Sequence, residues 1–151
     1  MRGKDELLRA EEDAWGEIHE LLHQLTPEQA SEPGFIDNWT AKDLLAHLSC
    51  WHAEAATVLC QLRLGTFAGW DEDVEETNRR FYEATRDLSY DDVVAQLHAA
   101  RFRMLEEMDR LPEDKLTLKA DEWFRESGAE HYRNHLPGLR AWLERLRGST
   151  A

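Results

Sequence analysis

Apolar residues recur at intervals of three and four through four long stretches of this chain, and nowhere do they alternate long enough to make a strand. That periodicity is the strongest constraint on the fold. It predicts helices whose buried stripes must cover one another, since a single amphipathic helix cannot bury its own apolar face. The first predicted helix spans 4–25, with Leu7, Ala14, Ile18, Leu21, Leu22 and Leu25 on the stripe and Thr26-Pro27 as its stop. Ser31-Glu32-Pro33-Gly34 reads as a loop. Thr40 and Asp43 have the spacing of a capping signal for a second helix that runs to about Leu64, with Gly65 as its C-cap.

A shorter helix, opened by Asp71 or Asp73, extends through Arg86 and carries Val74, Asn78, Phe81 and Tyr82. Ser89 with Asp92 opens a helix over 90–110, closed by Leu111-Pro112. Residues 112–126 read as irregular, and Ser127 with Glu130 reads as the capping box of a last helix reaching about Arg147. The expected fold is all-α: a four-helix bundle with a long crossover carrying a short extra helix, and residues 1–151 forming one domain.

The 151 residues are 42% hydrophobic and 32% charged, a globular composition, and no apolar run approaches a membrane span. The charged start, MRGKDELLRAEED, lacks a secretory-signal pattern, so a cytoplasmic location and no membrane partner are expected. Lys and Arg total 18 against 31 Asp and Glu, a net charge of −13, from which no nucleic-acid partner is expected. Cys50 and Cys60 lie on one predicted helix, about 15 Å apart at 1.5 Å per residue, too far for a disulfide.

Helix bundles build their sites from side chains on facing helices, so a histidine's angle from its apolar stripe decides whether it can join one. His19 and His23, spaced i, i+4, fall roughly 100° to 140° from the centre of theirs and read as surface residues. His131 and His135 are also i, i+4, but lie roughly 80° and 40° from the stripe centre, aimed toward an interior where two imidazoles can share a divalent ion. A pair of hydrogen-bonded boundary histidines fits the same spacing. On the second helix, His47 and His52 flank the stripe on opposite sides, and periodicity does not choose between them. His98 sits near a stripe edge.

The string Trp39-Thr40-Ala41-Lys42-Asp43-Leu44-Leu45-Ala46-His47-Leu48, with Trp51 following, resembles the second-helix signature of the DinB-like superfamily. The string from Glu130 to Leu143, with His131 and His135 in it, resembles that superfamily's last helix, most of all in the ClbS/DfsB and maleylpyruvate-isomerase-like branch. The resemblance implies a metal held by His47, His131 and His135, nickel or zinc by preference. It also implies a hydrolase or a thiol-dependent transferase acting on a small electrophilic metabolite, in a ClbS-like protective role, with a low-molecular-weight thiol as co-substrate in the transferase case and a homodimer as the assembly.

Glu54 lies two turns from His47 on nearly the same side of the helix and is a candidate hydrogen-bond partner behind the metal ligands or general base. Cys50, one turn away, is a candidate extra ligand or a buried structural thiol. Trp51, Asn78 and Tyr82 are the candidate substrate pocket, with Trp70 as a further wall. The competing reading is a non-enzymatic small-molecule binder or a structural bundle with vestigial ligands.

Overall fold

The computed structural model describes residues 2–36 and 38–149. Its helices are α1 (Lys4–Leu22), α2 (Pro27–Ala30), α3 (Ala41–Leu64), α4 (Val74–Thr85), α5 (Tyr90–Arg110), α6 (Leu118–Ser127) and α7 (Ala129–Ser149), with a 3₁₀ turn at Glu113–Lys115. Among the described residues there is no strand, only an isolated bridge between Ile36 and Trp39. The fold is all-α. No helix among the described residues is long and apolar enough to cross a membrane.

The helix starts follow local chemistry. Thr40 and Asp43 exchange side-chain and backbone hydrogen bonds in a complete capping box, at 2.9 and 3.0 Å. Asp73 caps α4 through Glu76 N, and Ser89 caps α5 through Asp92 N. Gly65 ends α3 at φ +74°, where a Cβ would be strained. Lys42 is buried and donates to the carbonyls of Arg86 and Leu88, both at 2.7 Å, fastening α3 to the turn after α4.

Three boundaries differ from the sequence reading. The first helix stops at Leu22 because Thr26 and Gln29 form a second capping box and restart the chain as α2, with Pro27 in the first turn. Residues 112–126 are ordered: Thr117 accepts from Ala120 N and opens α6. Ser127 therefore lies inside α6 and is not a cap for α7, and Glu130 pairs with Arg125 instead. The corner between α6 and α7 falls at Gly128, where an added Cβ would lie 3.0 Å from the Phe124 carbonyl oxygen and 3.2 Å from Glu11 Cγ.

Helix α3 packs along α5 and α1 along α7, while α4 and α6 lie against α3. Two apolar clusters fill the bundle. One joins Ala14, Ile18, Leu44, Leu48, Leu97 and Leu139; the other joins Leu7, Ala55, Leu59, Met104, Met108 and Phe124. Between them in helical register sits a buried polar layer. Arg101 grips both oxygens of Glu11 at 2.7 and 2.8 Å, and the Tyr132 hydroxyl lies 2.8 Å from Glu11 Oε1 and 2.7 Å from His52 Nε2. A phenol has one proton, and the carboxylate can only accept it, so His52 Nε2–H donates to the Tyr132 oxygen.

Candidate metal centre

Two helices place three histidines at one end of a cavity. His47 sits in the second turn of α3, held in place by the Thr40 capping box and the buried Lys42 anchor. His131 and His135 lie one turn apart near the start of α7, just past the Gly128 corner. One ring nitrogen from each of the three falls within 4.8 Å of the others. The His47 and His131 Nε2 atoms are 2.9 Å apart, and the ring centroids lie 4.8 to 5.5 Å from one another.

Their environment favours bare lone pairs. Burial, then the neighbouring His135, pushes the His47 imidazole down to about 4. Burial and the other histidines push His131 down to about 2, and burial lowers His135. All three are thus neutral at neutral pH, the form that binds a metal. The Nδ1 atoms of His47 and His131 are buried without a hydrogen-bond partner. The convergence of one nitrogen from each of three neutral imidazoles, two of them meeting through Nε2, suits a cation. The donor set is all nitrogen, appropriate to nickel or zinc, and this triad could hold a divalent ion.

The cavity beside the triad measures about 620 Å³. His47 and His131 line it, as do Trp51 and Asn78. Trp51 Nε1 donates to Asn78 Oδ1 at 2.8 Å, fixing the amide with its oxygen occupied. Tyr82 lies outside this lining. It stacks on Trp39 at 5.7 Å with rings 3° from parallel, and Trp39 in turn meets His47 edge-on. Glu54 is also absent from the lining, and its charge is felt by Cys50. Burial, then Glu54, pushes the Cys50 thiol up to about 11, so it stays protonated and is not part of the triad.

His52, the alternative to His47 on α3, is fully buried in the polar layer with Tyr132. His19, His23 and His98 are exposed. The sequence reading missed the α6 wall of the cavity: Lys119, Glu122, Trp123, Glu126 and Ser127 all line it. Their spacing of three and four was the available signal.

The sequence matches the family described as the mycothiol maleylpyruvate isomerase N-terminal domain over residues 12–130. The chain belongs to this family. It is accordingly a DinB-like bundle, and two solved structures share its fold. One is the colibactin self-resistance protein ClbS in complex with a dsDNA, with a TM-score of 0.80 at 19% identity over 93% of this chain and 94% of that one. The other is an uncharacterised protein from Escherichia coli UTI89, with a TM-score of 0.82 at 19% identity over 97% and 96% of the two chains. No curated protein is matched by sequence.

The ClbS complex corrects the expectation of no nucleic-acid partner. Duplex DNA is bound by a protein of this fold, and net charge is a poor guide because it sums the whole surface while a phosphate backbone meets only one face. Here α7 carries four exposed arginines, Arg133, Arg140, Arg145 and Arg147, against two glutamates, inside a chain of net charge −13.

Proposed function

We propose that the protein is a divalent-metal enzyme acting on a small electrophilic molecule, with His47, His131 and His135 as the metal ligands and the adjoining cavity as the substrate site. The observation that carries this reading is the convergence of three neutral, partly buried imidazoles at the edge of a 620 Å³ cavity. A nickel or zinc ion held there supplies Lewis acidity toward a water, a thiol or a carbonyl group. The chain's own residues do the rest. Trp51 holds the Asn78 amide so that its N–H groups are what it offers to a substrate, and Trp51, Trp70 and Trp123 give the cavity an aromatic wall.

A thiol-dependent transfer or isomerisation is the reaction type we favour, because the family description names a thiol, mycothiol. Hydrolysis is the alternative, in a ClbS-like protective role. Glu54 would serve as general base only through a rearrangement that brings it to the cavity, so we assign it no direct part. Duplex DNA is a second partner class, supported by the ClbS complex and by the arginines of α7.

Elemental analysis of tag-free protein beside His131→Ala tests the metal. Near-stoichiometric nickel or zinc in the wild type and none in the variant is the expected result. A wild type that neither carries nor takes up either ion would overturn the metalloenzyme reading. Fluorescence anisotropy with a labelled duplex across a salt series tests the DNA: affinity that falls steeply with salt is expected.

A further inference from the structure

Helix α6 turns one face to the core and the other to the cavity. Ala120, Asp121 and Phe124 are buried, while Lys119, Glu122, Trp123 and Glu126 line the cavity. Trp123 meets Trp70 at 5.4 Å and Trp51 at 6.4 Å, and Trp51 meets Trp70 at 5.6 Å. The three rings come from α6, from the connection before α4 and from α3, and all three line the same cavity. Their planes are inclined to one another by 40° to 76°, so they form a faceted wall and not a parallel stack.

The charges on this cavity have one sign in excess. Lys119 is the one Lys or Arg among the described lining residues, and its ammonium is already paired with Glu122 at 3.0 Å. Glu126 lines the same space from an exposed position with no ion pair to a cation among the described residues. A dicarboxylate entering here would find no free guanidinium or ammonium, and its charge would face Glu126. An aromatic ring gains stacking area on the tryptophans, and a cationic group gains both the negative faces of the indoles and the Glu126 carboxylate.

We infer that the walls of the cavity, taken apart from any ion on the triad, select a flat aromatic ligand bearing a positive charge over small anionic acids. Trp70 and Trp123 supply the stacking surface, Glu126 sets the charge preference, and the Asn78 amide donates to a polar atom on the ring system. The inference deepens the reading of this cavity as the substrate site and rests on it, but it does not depend on the metal.

The test uses three probes of one shape: 2-naphthylmethylammonium, 2-naphthamide and 2-naphthoate. Each is titrated calorimetrically at neutral pH into chelator-treated protein and into nickel-loaded protein. In the metal-free protein the ammonium should bind about tenfold tighter than the carboxylate, with the amide between them. Glu126→Gln should bring the ammonium close to the amide while leaving the amide unchanged. Trp70→Leu should weaken all three, with helicity checked by circular dichroism. Trp123→Leu is the second variant should Trp70→Leu fail to fold. Carboxylate binding equal to or tighter than ammonium in metal-free protein, no binding of any probe, or a preference untouched by Glu126→Gln would overturn the inference. Because the metal-free titrations read the walls alone, failure of metal uptake leaves this result standing, and failure of the probes leaves the metal result standing.

Discussion

His131 and Tyr132 are neighbours in sequence and belong to opposite kinds of polar cluster. Tyr132 joins Glu11, Arg101 and His52 in a layer where the carboxylate, the phenol and the guanidinium are all paired. His131 joins His47 and His135 in a group whose one side-chain hydrogen bond is between two imidazoles, His47 and His131. Burial and then Glu11 hold the Tyr132 phenol well above its ordinary value, so it stays a donor. Burial and the neighbouring histidines keep His131 neutral, with one bare ring nitrogen able to accept or to bind a metal. The layer ties α1, α3, α5 and α7 together through four side-chain hydrogen bonds and leaves one buried nitrogen, His52 Nδ1, over, whereas the histidine group holds itself by one contact, His47 to His131, a sparseness that is tolerated where it serves a ligand. The comparison separates residues that hold the bundle from residues the bundle presents.

The largest expected effect comes from breaking the densely bonded side. Glu11→Ala strands the Arg101 guanidinium and the Tyr132 hydroxyl, and should cost about 3 kcal/mol in urea unfolding, at the low end for a broken buried pair because Arg101 retains some solvent. A loss under about 1 kcal/mol would mean that water replaces the carboxylate and the layer is not structural.

Acid should reach the same layer next. His52 is pushed down to about 3 by burial and then by Arg101, so between its ordinary 6.5 and that value the unfolded chain binds a proton that the folded chain does not. Stability therefore falls as pH drops through this window, by about 2 kcal/mol at pH 5 from this one group. Metal-free His52→Gln should show a shallower acid loss than wild type in thermal melts, and an unchanged slope would remove His52 as the cause.

Tyr132→Phe sharpens the contrast. It deletes the shared hydroxyl, leaving Glu11 with Arg101 but His52 without its acceptor, and should cost about 1 to 2 kcal/mol while metal uptake persists. The smallest stability effect belongs to His131→Ala, under about 1 kcal/mol, because its one side-chain hydrogen bond is to another neutral imidazole, His47. The same variant should abolish the thermal stabilisation that added nickel gives the wild type, about 2.7 kcal/mol at a hundredfold excess over Kd. Large destabilisation without any change in metal response would invert the assignment of the two clusters.

Much of this was legible in the chain. The Thr40–Asp43 box, the Asp73 and Ser89 caps and the Gly65 stop are local chemistry, and local chemistry decides them in any context. The α6 helix was not legible because its buried face is built from Ala120, Asp121, Phe124 and Ser127, a stripe too polar to stand out, while Leu118 is exposed. Ser127 and Glu130 carry the letters of a capping box, but the Gly128 corner gives Ser127 to the preceding helix. Glu54 and Tyr82 share helix faces with cavity residues yet lie outside the cavity lining, since a helix face covers more than one neighbour.

The sequence by itself determined four long amphipathic helices, their capped ends and the i, i+4 spacing of His131 and His135, because each depends on residues within a turn or two of one another. Helical periodicity left open which histidine of α3 meets that pair; the resemblance implied His47, and packing is what brings it there. His47 and His52 flank the same stripe, and the choice between them is set by which neighbour each side faces: α7's His131 for one, the Tyr132–Glu11 layer for the other. The cavity and its tryptophan wall were likewise fixed by assembly, since Trp51, Trp70 and Trp123 are distant in sequence and meet only when α3, α6 and the connection before α4 pack together.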